Sequence, residues 1–198
     1  MMAPSDSELI TILAFAGSLR KDSYNKSLLG AAKEVASGKM KIEIFDLEGI
    51  PFFSEDVEAE GDPDYVTQFK EAIRKADGLL IATPEYNYGM SSATKAAIEW
   101  ASRPPKDAPL EHKAVGILGA STSLTGTARA QGQLRQSLSY TNSYCMSYPE
   151  ILVYQADEKF DDKGNLTDEE TLEFLETYME AFYEWVVNHL KYIKESAD

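Results

Sequence analysis

The residues with the clearest capacity for chemistry follow an apolar run at Ile10 to Ala16. After Gly17, the chain is dense in hydroxyl, amide and guanidinium groups, carried by Ser18, Arg20, Ser23, Asn25 and Ser27. The pattern is typical of a buried strand, a tight loop and the first turn of a helix. Because a helix N-terminus offers unpaired backbone N–H groups and a positive dipole, the stretch predicts an anion site, and a phosphate cradle in particular. The alternative is that Ser23, Asn25 and Ser27 are ordinary N-cap and turn residues.

Two further loops of this kind follow apolar runs. The loop after residues 79–82 contains Pro84, Glu85, Tyr86, Asn87, Tyr88 and Gly89. The loop after residues 114–119 contains Ser121. Tyrosine rings present flat faces, and a glycine lets the backbone approach a planar ligand closely. These loops therefore predict a site for a flat ring. The alternative is that both tyrosines are partly buried core or interface residues.

A phosphate at one end and a flat ring at the other indicate a mononucleotide with a large heterocycle, and FMN suits this description. Arg20 can bind a phosphate through two parallel hydrogen bonds. The first loop lacks the Gly-x-Gly-x-x-Gly spacing of a dinucleotide-binding fold and the Gly-Lys-Ser/Thr of a P-loop. Neither of those phosphate-binding motifs is therefore predicted.

Strand and helix signals alternate along the chain, which predicts a parallel sheet with helices on both faces. Five strands are expected, and those at 10–16, 79–82 and 114–119 are continuously apolar. Met40 to Ile44 instead alternates apolar and charged residues, as an edge strand does. The sequence therefore predicts a flavodoxin-like, doubly wound α/β fold with strand order 2-1-3-4-5. In this order the ligand lies beyond the carboxyl ends of strands 1 and 3.

Several element boundaries can also be predicted. Asp62 and Pro63 resemble an N-cap followed by proline at the first helical position. Residues 167–170 read Thr-Asp-Glu-Glu, which is a capping box ahead of a long helix. The fifth strand region, residues 144–154, is expected to be interrupted at Pro149.

The composition is that of one ordinary globular domain, expected to span residues 1–198 with a flexible segment at 1–8. The net charge of −14 opposes binding to nucleic acid or an anionic membrane surface.

Cys145 is the only cysteine, so neither an intrachain disulfide nor a metal site is expected, and its side chain is expected to be buried. His112 and His189 are expected at the surface or at an interface. The opening residues do not resemble a secretory signal, so a cytoplasmic protein is expected.

Three motifs occur in order along the chain. They are Gly17-Ser-Leu-Arg20 with Ser23 and Asn25, then Thr83-Pro-Glu-Tyr-Asn-Tyr88 with Lys95 and Ile98-Glu99-Trp100, then Gly126-Thr-Ala-Arg129. Together they resemble the NAD(P)H-dependent FMN reductase family, which is flavodoxin-like and includes quinone, chromate and azo-dye reductases. The resemblance covers nearly the whole chain, from about Ile10 to Tyr192.

The resemblance implies roles for particular residues. The FMN phosphate is expected at Ser18, Arg20 and Asn25, with hydroxyl groups near Ser23. The flavin ring is expected against Pro84, Glu85, Tyr86 and Asn87, partly through backbone groups, and near Ser121. The chain departs from the family at Gly89, Ser91, Ser92 and Ala96, where relatives usually have Ser, Pro-Gly and Asn. The pocket wall beside the flavin is therefore expected to differ in shape or substrate preference.

The resemblance also implies an activity. NADPH or NADH would reduce bound FMN, which would pass the electrons to a small acceptor such as a quinone, with azo dyes, chromate and free flavin as further candidates. Because the cofactor carries the chemistry, no catalytic side chain is predicted. Glu85 is expected to cap a loop rather than relay a proton, and Arg129 to pair with an acidic neighbour rather than contact nicotinamide. A homodimer or homotetramer is expected, as in the family.

Two other functions stay open. A flavodoxin-type electron carrier would bind FMN without turning over NAD(P)H, and an acidic surface would suit its redox partner. Against it stand Arg20 in the first loop and the concentration of the acidic excess in the last quarter of the chain. A chain that kept the fold and lost the flavin would be an interaction protein.

Overall fold

The computed structural model describes residues 9–36 and 38–197, and the expectation of a flexible segment at 1–8 falls outside them. The strands are β1 (Ile10–Ala16), β2 (Met40–Phe45), β3 (Gly78–Ala82), β4 (Glu85–Tyr86), β5 (Gly89–Met90), β6 (Ala114–Ala120), β7 (Tyr144–Cys145) and β8 (Ile151–Val153). The helices are α1 (Tyr24–Val35), α2 (Glu55–Glu60), α3 (Asp64–Lys75), α4 (Ser92–Ala101), α5 (Ala128–Tyr140), α6 (Ala156–Lys159) and α7 (Glu169–Ala197).

The central sheet is parallel and follows the order β2-β1-β3-β6-β7, with β8 also paired to β6. The predicted order 2-1-3-4-5 is confirmed, because β6 is the fourth predicted strand and β7 and β8 are two halves of the fifth. β7 pairs with the start of β6 and β8 with its end. Pro149 lies between the two halves, where its missing N–H interrupts the ladder as predicted.

Burial explains the position of each strand. Every residue of β3 and β6 is buried, whereas Lys41 and Glu43 of β2 are exposed at the sheet edge. Alternate residues of β1 enter different cores: Ile12 packs with α1 and α7 on one face, and Phe15 packs with α3, α4 and α5 on the other. The sheet is therefore doubly wound, as its apolar pattern predicts.

Two helix caps lie one residue away from their predicted positions. Pro63, not Asp62, is the N-cap of α3, because the carboxylate of Asp62 lies 2.6 Å from the buried ammonium of Lys70. A buried cation left without a counter-charge costs more free energy than a missing helix cap, so Asp62 pairs with Lys70 instead of capping α3. Ahead of α7, Asp168 rather than Thr167 accepts the N–H of Thr171.

Asp168 is expected to make the stability of the protein depend on pH in acid. Hydrogen bonds from Thr171 and from the Lys159 ammonium lower the pKa of this carboxyl from 3.8 to about 2. Because the folded-state pKa lies below the unfolded value, the contribution to the free energy of unfolding is complete above about pH 4 and is lost as the pH falls towards 2. We expect Asp168→Asn to be less stable by about 1 kcal/mol near neutral pH. Urea unfolding across the acid range tests this, and a difference that persists below about pH 2 would contradict it.

The two histidines differ in environment. His112 is exposed, as predicted, but the prediction for His189 is wrong, because its side chain is buried. Its Nε2 lies 2.7 Å from the carbonyl oxygen of His112, and its ring lies 4.3 Å from that of Tyr144. His189 continues the buried stripe of α7 through Val186, which is the sequence signal that identifies it as a core residue.

Cys145 lies at the end of β7 and is only partly buried, so the prediction of a buried side chain is met only in part. It packs against the core that contains Phe15, and desolvation raises the pKa of its thiol to about 11. In the described ranges 9–36 and 38–197, no helix has the length and apolar character that a membrane crossing requires.

Candidate active site

The three polar loops of the sequence meet at one edge of the sheet. They are the β1 loop (residues 17–23), the β3 loop (83–91) and the β6 loop (121–127). Gly17 donates its N–H to Ala82 O at 2.8 Å, and Thr83 donates its N–H to Leu118 O at 3.0 Å. These bonds extend the sheet ladder into the loops and hold their starting points side by side, as the strand order predicts.

A narrow cavity of about 290 Å³ lies between the loops and the N-terminus of α1. Its lining includes four residues predicted to bind phosphate, Ser18, Arg20, Ser23 and Asn25, and four predicted to face the ring, Pro84, Glu85, Tyr86 and Ser121. The hydroxyl oxygens of Ser18 and Tyr86 lie 3.2 Å apart, so the β1 and β3 loops are in direct contact here. The structure thus brings both sets of residues into one space.

The side chains around the narrow cavity differ in exposure and in hydrogen bonding. Arg20 is exposed at the surface. Ser23 is the N-cap of α1 and accepts the N–H of Lys26 at 3.5 Å, which leaves its own hydroxyl hydrogen available to a ligand. Asn25 is buried, and its amide group both donates to Ala120 O and accepts from Ala120 N at 3.0 Å. Asn25 therefore joins α1 to the end of β6 and positions the cavity wall.

A wider cleft of about 750 Å³ adjoins the narrow cavity, and both share Glu85 and Ser121 in their linings. The remaining residues of the cleft come from the β3 loop, the β6 loop and α5: Asn87, Tyr88, Ser123, Leu124, Thr125 and Arg129. Tyr88 and Leu124 are 73% and 78% exposed, so the cleft has large apolar walls open to solvent. A ligand with a small anionic end and a large flat end could occupy both spaces at once.

Glu85 lies between the two spaces and has a structural role, as predicted. Its side chain is nearly buried, and its Oε1 accepts from the guanidinium of Arg129 at 2.9 Å. Its Oε2 accepts the backbone N–H groups of Arg129 and Ala130 in the first turn of α5. The predicted pairing of Arg129 with an acidic neighbour is confirmed. Because this carboxylate is matched by a cation and two N–H groups, its charge does not oppose an anion in the narrow cavity.

The β3 loop contains a hairpin that the sequence analysis did not identify. β4 and β5 are joined by Asn87 and Tyr88, with φ of 50° and 67°. Positive φ at both central residues is the geometry of a type I′ turn, which favours Asn and Gly. A bulky side chain in this region is strained, and strain of this kind is common at functional sites. The Tyr88 ring lies 4.2 Å from the guanidinium carbon of Arg129, which holds it at the cleft.

Two predicted site residues line neither space. Ser27 lies one turn further along α1 and beside Gly164. A Cβ added to Gly164 would lie 2.7 Å from the Ser27 hydroxyl oxygen. Gly89 packs against α5: a Cβ there would lie 2.7 Å from Gln133 Oε1, which accepts the N–H of Met90. Gly89 therefore allows the hairpin to approach α5 closely, and it shapes the cleft from behind.

Replacing Tyr88 with glycine is expected to stabilise the fold while impairing the cleft. Relief of the strained φ contributes about 1 to 3 kcal/mol, and loss of the cation–π contact costs roughly 0.5 to 1 kcal/mol. We therefore expect the free energy of unfolding of Tyr88→Gly to rise by about 1 kcal/mol, measured by urea denaturation. A loss of stability would show that the contact with Arg129 outweighs the strain. Tyr86→Phe, which keeps an aromatic ring at ordinary backbone angles, is the control.

The donor set of the narrow cavity fits a phosphate ester. Hydroxyl groups of Ser18 and Ser23, the N-terminus of α1 and the guanidinium of Arg20 surround it, and Glu85, the one carboxylate in its lining, is already neutralised. Within 9–36 and 38–197, no group of three or more His, Cys, Asp or Glu side chains is arranged to hold a metal ion. The arrangement suits FMN, with its phosphate in the narrow cavity and its ring in the cleft.

Comparison with known proteins agrees with this geometry. Residues 10–158 match the family model of NADPH-dependent FMN reductases. An NAD(P)H-dependent FMN reductase of Pseudomonas aeruginosa is 44% identical over 180 residues, covering 91% of this chain and 97% of that protein. A 2-hydroxy-1,4-benzoquinone reductase of Burkholderia sp is 37% identical over 177 residues, covering 89% of this chain and 96% of that protein.

Among solved structures, FerB, a flavoenzyme NAD(P)H:(acceptor) oxidoreductase from Paracoccus denitrificans, superposes with a TM-score of 0.84. It is 32% identical to this chain, and the match covers 91% of this chain and 98% of that structure. The family model and these relatives each span most of the chain, including the three loops of the site. The chain belongs to the NADPH-dependent FMN reductase family.

Proposed function

We propose that this chain is an NAD(P)H-dependent oxidoreductase that uses bound FMN to reduce quinones. The observation that carries the proposal is the junction of a narrow, donor-rich cavity with a wide cleft across Glu85 and Ser121. Family membership supports it, because relatives that match nearly the whole chain are named FMN reductase and quinone reductase. The proposed unit is one flavodoxin-like domain spanning residues 1–198.

The FMN phosphate is proposed to lie in the narrow cavity. Ser18, Ser23 and Arg20 donate to it together with the first N–H groups of α1. Asn25 contributes indirectly, by holding α1 against the end of β6. Ser27 lines neither space, so its predicted contact with the phosphate would require a ligand that reaches one turn further along α1. Each direct contact is a charge-assisted hydrogen bond, which is the strongest kind available to an uncharged hydroxyl or amide.

The flavin ring is proposed to lie along the β3 loop in the wide cleft. Glu85, Asn87 and Tyr88 form one wall of the cleft, with Gly89 behind them, and Ser121 forms part of the other. Pro84 and Tyr86 line the adjoining narrow cavity, where they would contact the end of the ring nearest the phosphate. The type I′ turn fixes the direction of the backbone groups of the β3 loop, so these donors and acceptors are oriented before the ligand binds.

Bound FMN supplies the capacity to accept a hydride from NADPH or NADH and to deliver electrons to a quinone. The protein residues bind and orient. The Glu85–Arg129 pair holds the start of α5 against the β3 loop, which keeps the cleft at a fixed width. The open apolar walls at Tyr88 and Leu124 let flat donors and acceptors enter and leave in turn. No side chain of the cleft is assigned a proton-transfer role.

Steady-state oxidation of NADPH and of NADH with 1,4-benzoquinone tests the proposal, with protein-free FMN as the control. Turnover that depends on the FMN-loaded protein is the expected result, and the ratio of the two rates identifies the preferred donor. Turnover no faster than with protein-free FMN would instead support a flavodoxin-type electron carrier, which family membership does not favour. A chain that binds no FMN would be an interaction protein. Azo dyes, chromate and free flavin are further proposed acceptors for the same assay.

We also propose a homodimer or homotetramer in the cytoplasm, where nicotinamide nucleotides are available. Tyr86 and Tyr88 are 53% and 73% exposed beside the cleft, so a second subunit could complete its wall. Light scattering after gel filtration measures the mass of the active species. A monomer with full activity would contradict the proposed assembly.

A further inference from the structure

A chain of three buried hydroxyl groups lies beneath the β1 loop. Ser91, the N-cap of α4, has its Oγ 2.6 Å from the carbonyl oxygen of Gly17 and 2.9 Å from Thr94 Oγ1. Thr94 Oγ1 in turn lies 3.4 Å from Thr83 Oγ1 at the end of β3. All three side chains are buried, and none of them lines the narrow cavity or the wide cleft. The chain therefore joins the β1 and β3 loops from below.

The direction of these hydrogen bonds follows from the number of hydrogens that each group can donate. The carbonyl of Gly17 can only accept, so the single hydroxyl hydrogen of Ser91 is donated to it. The Ser91 oxygen then accepts twice, from the Thr94 N–H at 3.1 Å and from the Thr94 hydroxyl. With one bond donated and two accepted, the hydrogen-bonding capacity of Ser91 is filled, and its orientation is fixed.

This bond determines where the next peptide N–H is directed. A trans peptide group is planar, so the N–H of Ser18 is directed opposite to the C=O of Gly17. Because that C=O is directed at Ser91, the Ser18 N–H is directed away from Ser91. Ser18 itself is one of the residues that line the narrow cavity. Among the hydrogen bonds made within residues 9–36 and 38–197, none takes the Ser18 N–H.

We propose that Ser91 is a positioning residue that makes the β1 loop selective for a phosphate group, by holding the Gly17–Ser18 peptide with its N–H towards the narrow cavity. The reversed peptide would direct the carbonyl oxygen at the phosphate and repel it. The proposal rests on the proposed function, because it requires the FMN phosphate in this cavity.

The test compares the affinities of three variants for FMN and for riboflavin, which lacks the phosphate, by titrating the flavin-free protein. Ser91→Ala removes the donor to Gly17, Ser91→Thr keeps it, and Thr94→Val removes a buried hydroxyl of the same chain while leaving the Ser91–Gly17 bond. We expect Ser91→Ala to bind FMN about tenfold more weakly, with riboflavin affinity unchanged. Ser91→Thr and Thr94→Val should retain the FMN affinity within about twofold.

A general loss of structure gives a different result, because it weakens FMN and riboflavin binding in parallel. Equal losses for both flavins, or no loss for FMN, would overturn the proposal. If the native protein itself bound FMN and riboflavin equally, the proposed phosphate site would fail instead. The native protein provides an independent measurement: the backbone amide resonance of Ser18 is expected to move downfield when FMN binds and much less when riboflavin binds. The same small shift with both flavins would also overturn the proposal.

Discussion

Replacing Arg20 with alanine is expected to weaken FMN binding by about 10- to 100-fold. The guanidinium lines the narrow cavity and is exposed at its mouth, and it is the one cationic group in the lining. Its bond to a phosphate dianion would be charge-assisted, and such bonds contribute roughly 1.5 to 3 kcal/mol each. Fluorescence titration of the flavin-free variant with FMN measures the change.

Lys21→Ala is the matched control for Arg20→Ala. Lys21 is the next residue, it is also exposed, and it does not line the narrow cavity, so its removal lowers the positive charge equally without removing the contact. We expect its FMN affinity to change by less than about threefold, because exposed charges are screened by salt. Equal losses in both variants would indicate general electrostatic attraction rather than a phosphate contact. Riboflavin affinity should be the same in the native protein and in Arg20→Ala.

The position of Arg20 could be predicted because the signal is local. A buried strand, a polar loop and a helix start lie within one short stretch, and each depends only on neighbouring residues. The role of Asn25 could not be predicted in the same way. Its two hydrogen bonds reach Ala120, which is 95 residues further along the chain. The sequence shows that Asn25 is suited to bonding at a helix start, but only the fold shows which group it bonds.

The backbone geometry of the β3 loop could not be predicted from the sequence either. Its strands β4 and β5 have two residues each, which is too short for any alternation of apolar and polar side chains to be visible. Asn87 is a common residue for positive φ, but Tyr88 is not, so the turn contradicts local preference at its second position. Such local contradictions concentrate at functional sites, where tertiary contacts outweigh them.

Ser91 was singled out from the sequence, but its role in the structure differs from the predicted one. The sequence identified it as a departure from the family and predicted an altered pocket wall. The structure places its hydroxyl group in the interior, bonded to Gly17, and not in the wall of either space. The departure at Ser91 therefore affects the β1 loop, which Ser91 supports through Gly17. The two residues are 74 positions apart, so no local sequence pattern reveals their contact.

Replacing Gly17 with alanine is expected to lower the free energy of unfolding by about 3 kcal/mol and to abolish tight FMN binding. A Cβ at this position would lie 1.8 Å from Thr94 Oγ1, and 3.0 Å from both Pro84 Cδ and Ser91 Oγ. Thr94 cannot move aside easily, because its hydroxyl is bonded to Ser91 and its side chain is fully buried in the first turn of α4. The β1 loop must therefore shift outward, and this displaces the cavity that begins at Ser18. Urea unfolding and FMN titration measure the two effects.

Gly30→Ala is the control for the substitution itself. Gly30 lies within α1 with no atom within 4 Å of the added Cβ, so alanine has room there. Because alanine favours a helix over glycine, this variant should gain up to about 1 kcal/mol of stability and bind FMN normally. A loss of stability comparable to that of Gly17→Ala would show that removing glycine from this part of the chain is harmful for reasons other than space.

The double variant Gly17→Ala with Thr94→Ala identifies the cause of the expected loss. Thr94→Ala alone removes a buried hydroxyl and should cost about 1 to 2 kcal/mol. In the double variant the nearest obstructing atom is absent, and the remaining neighbours at 3.0 Å require a shift of only a few tenths of an ångström. We therefore expect the double variant to be more stable than the sum of the two single losses by at least about 1 kcal/mol. Strict additivity would show that the harm done by Gly17→Ala does not arise from contact with Thr94.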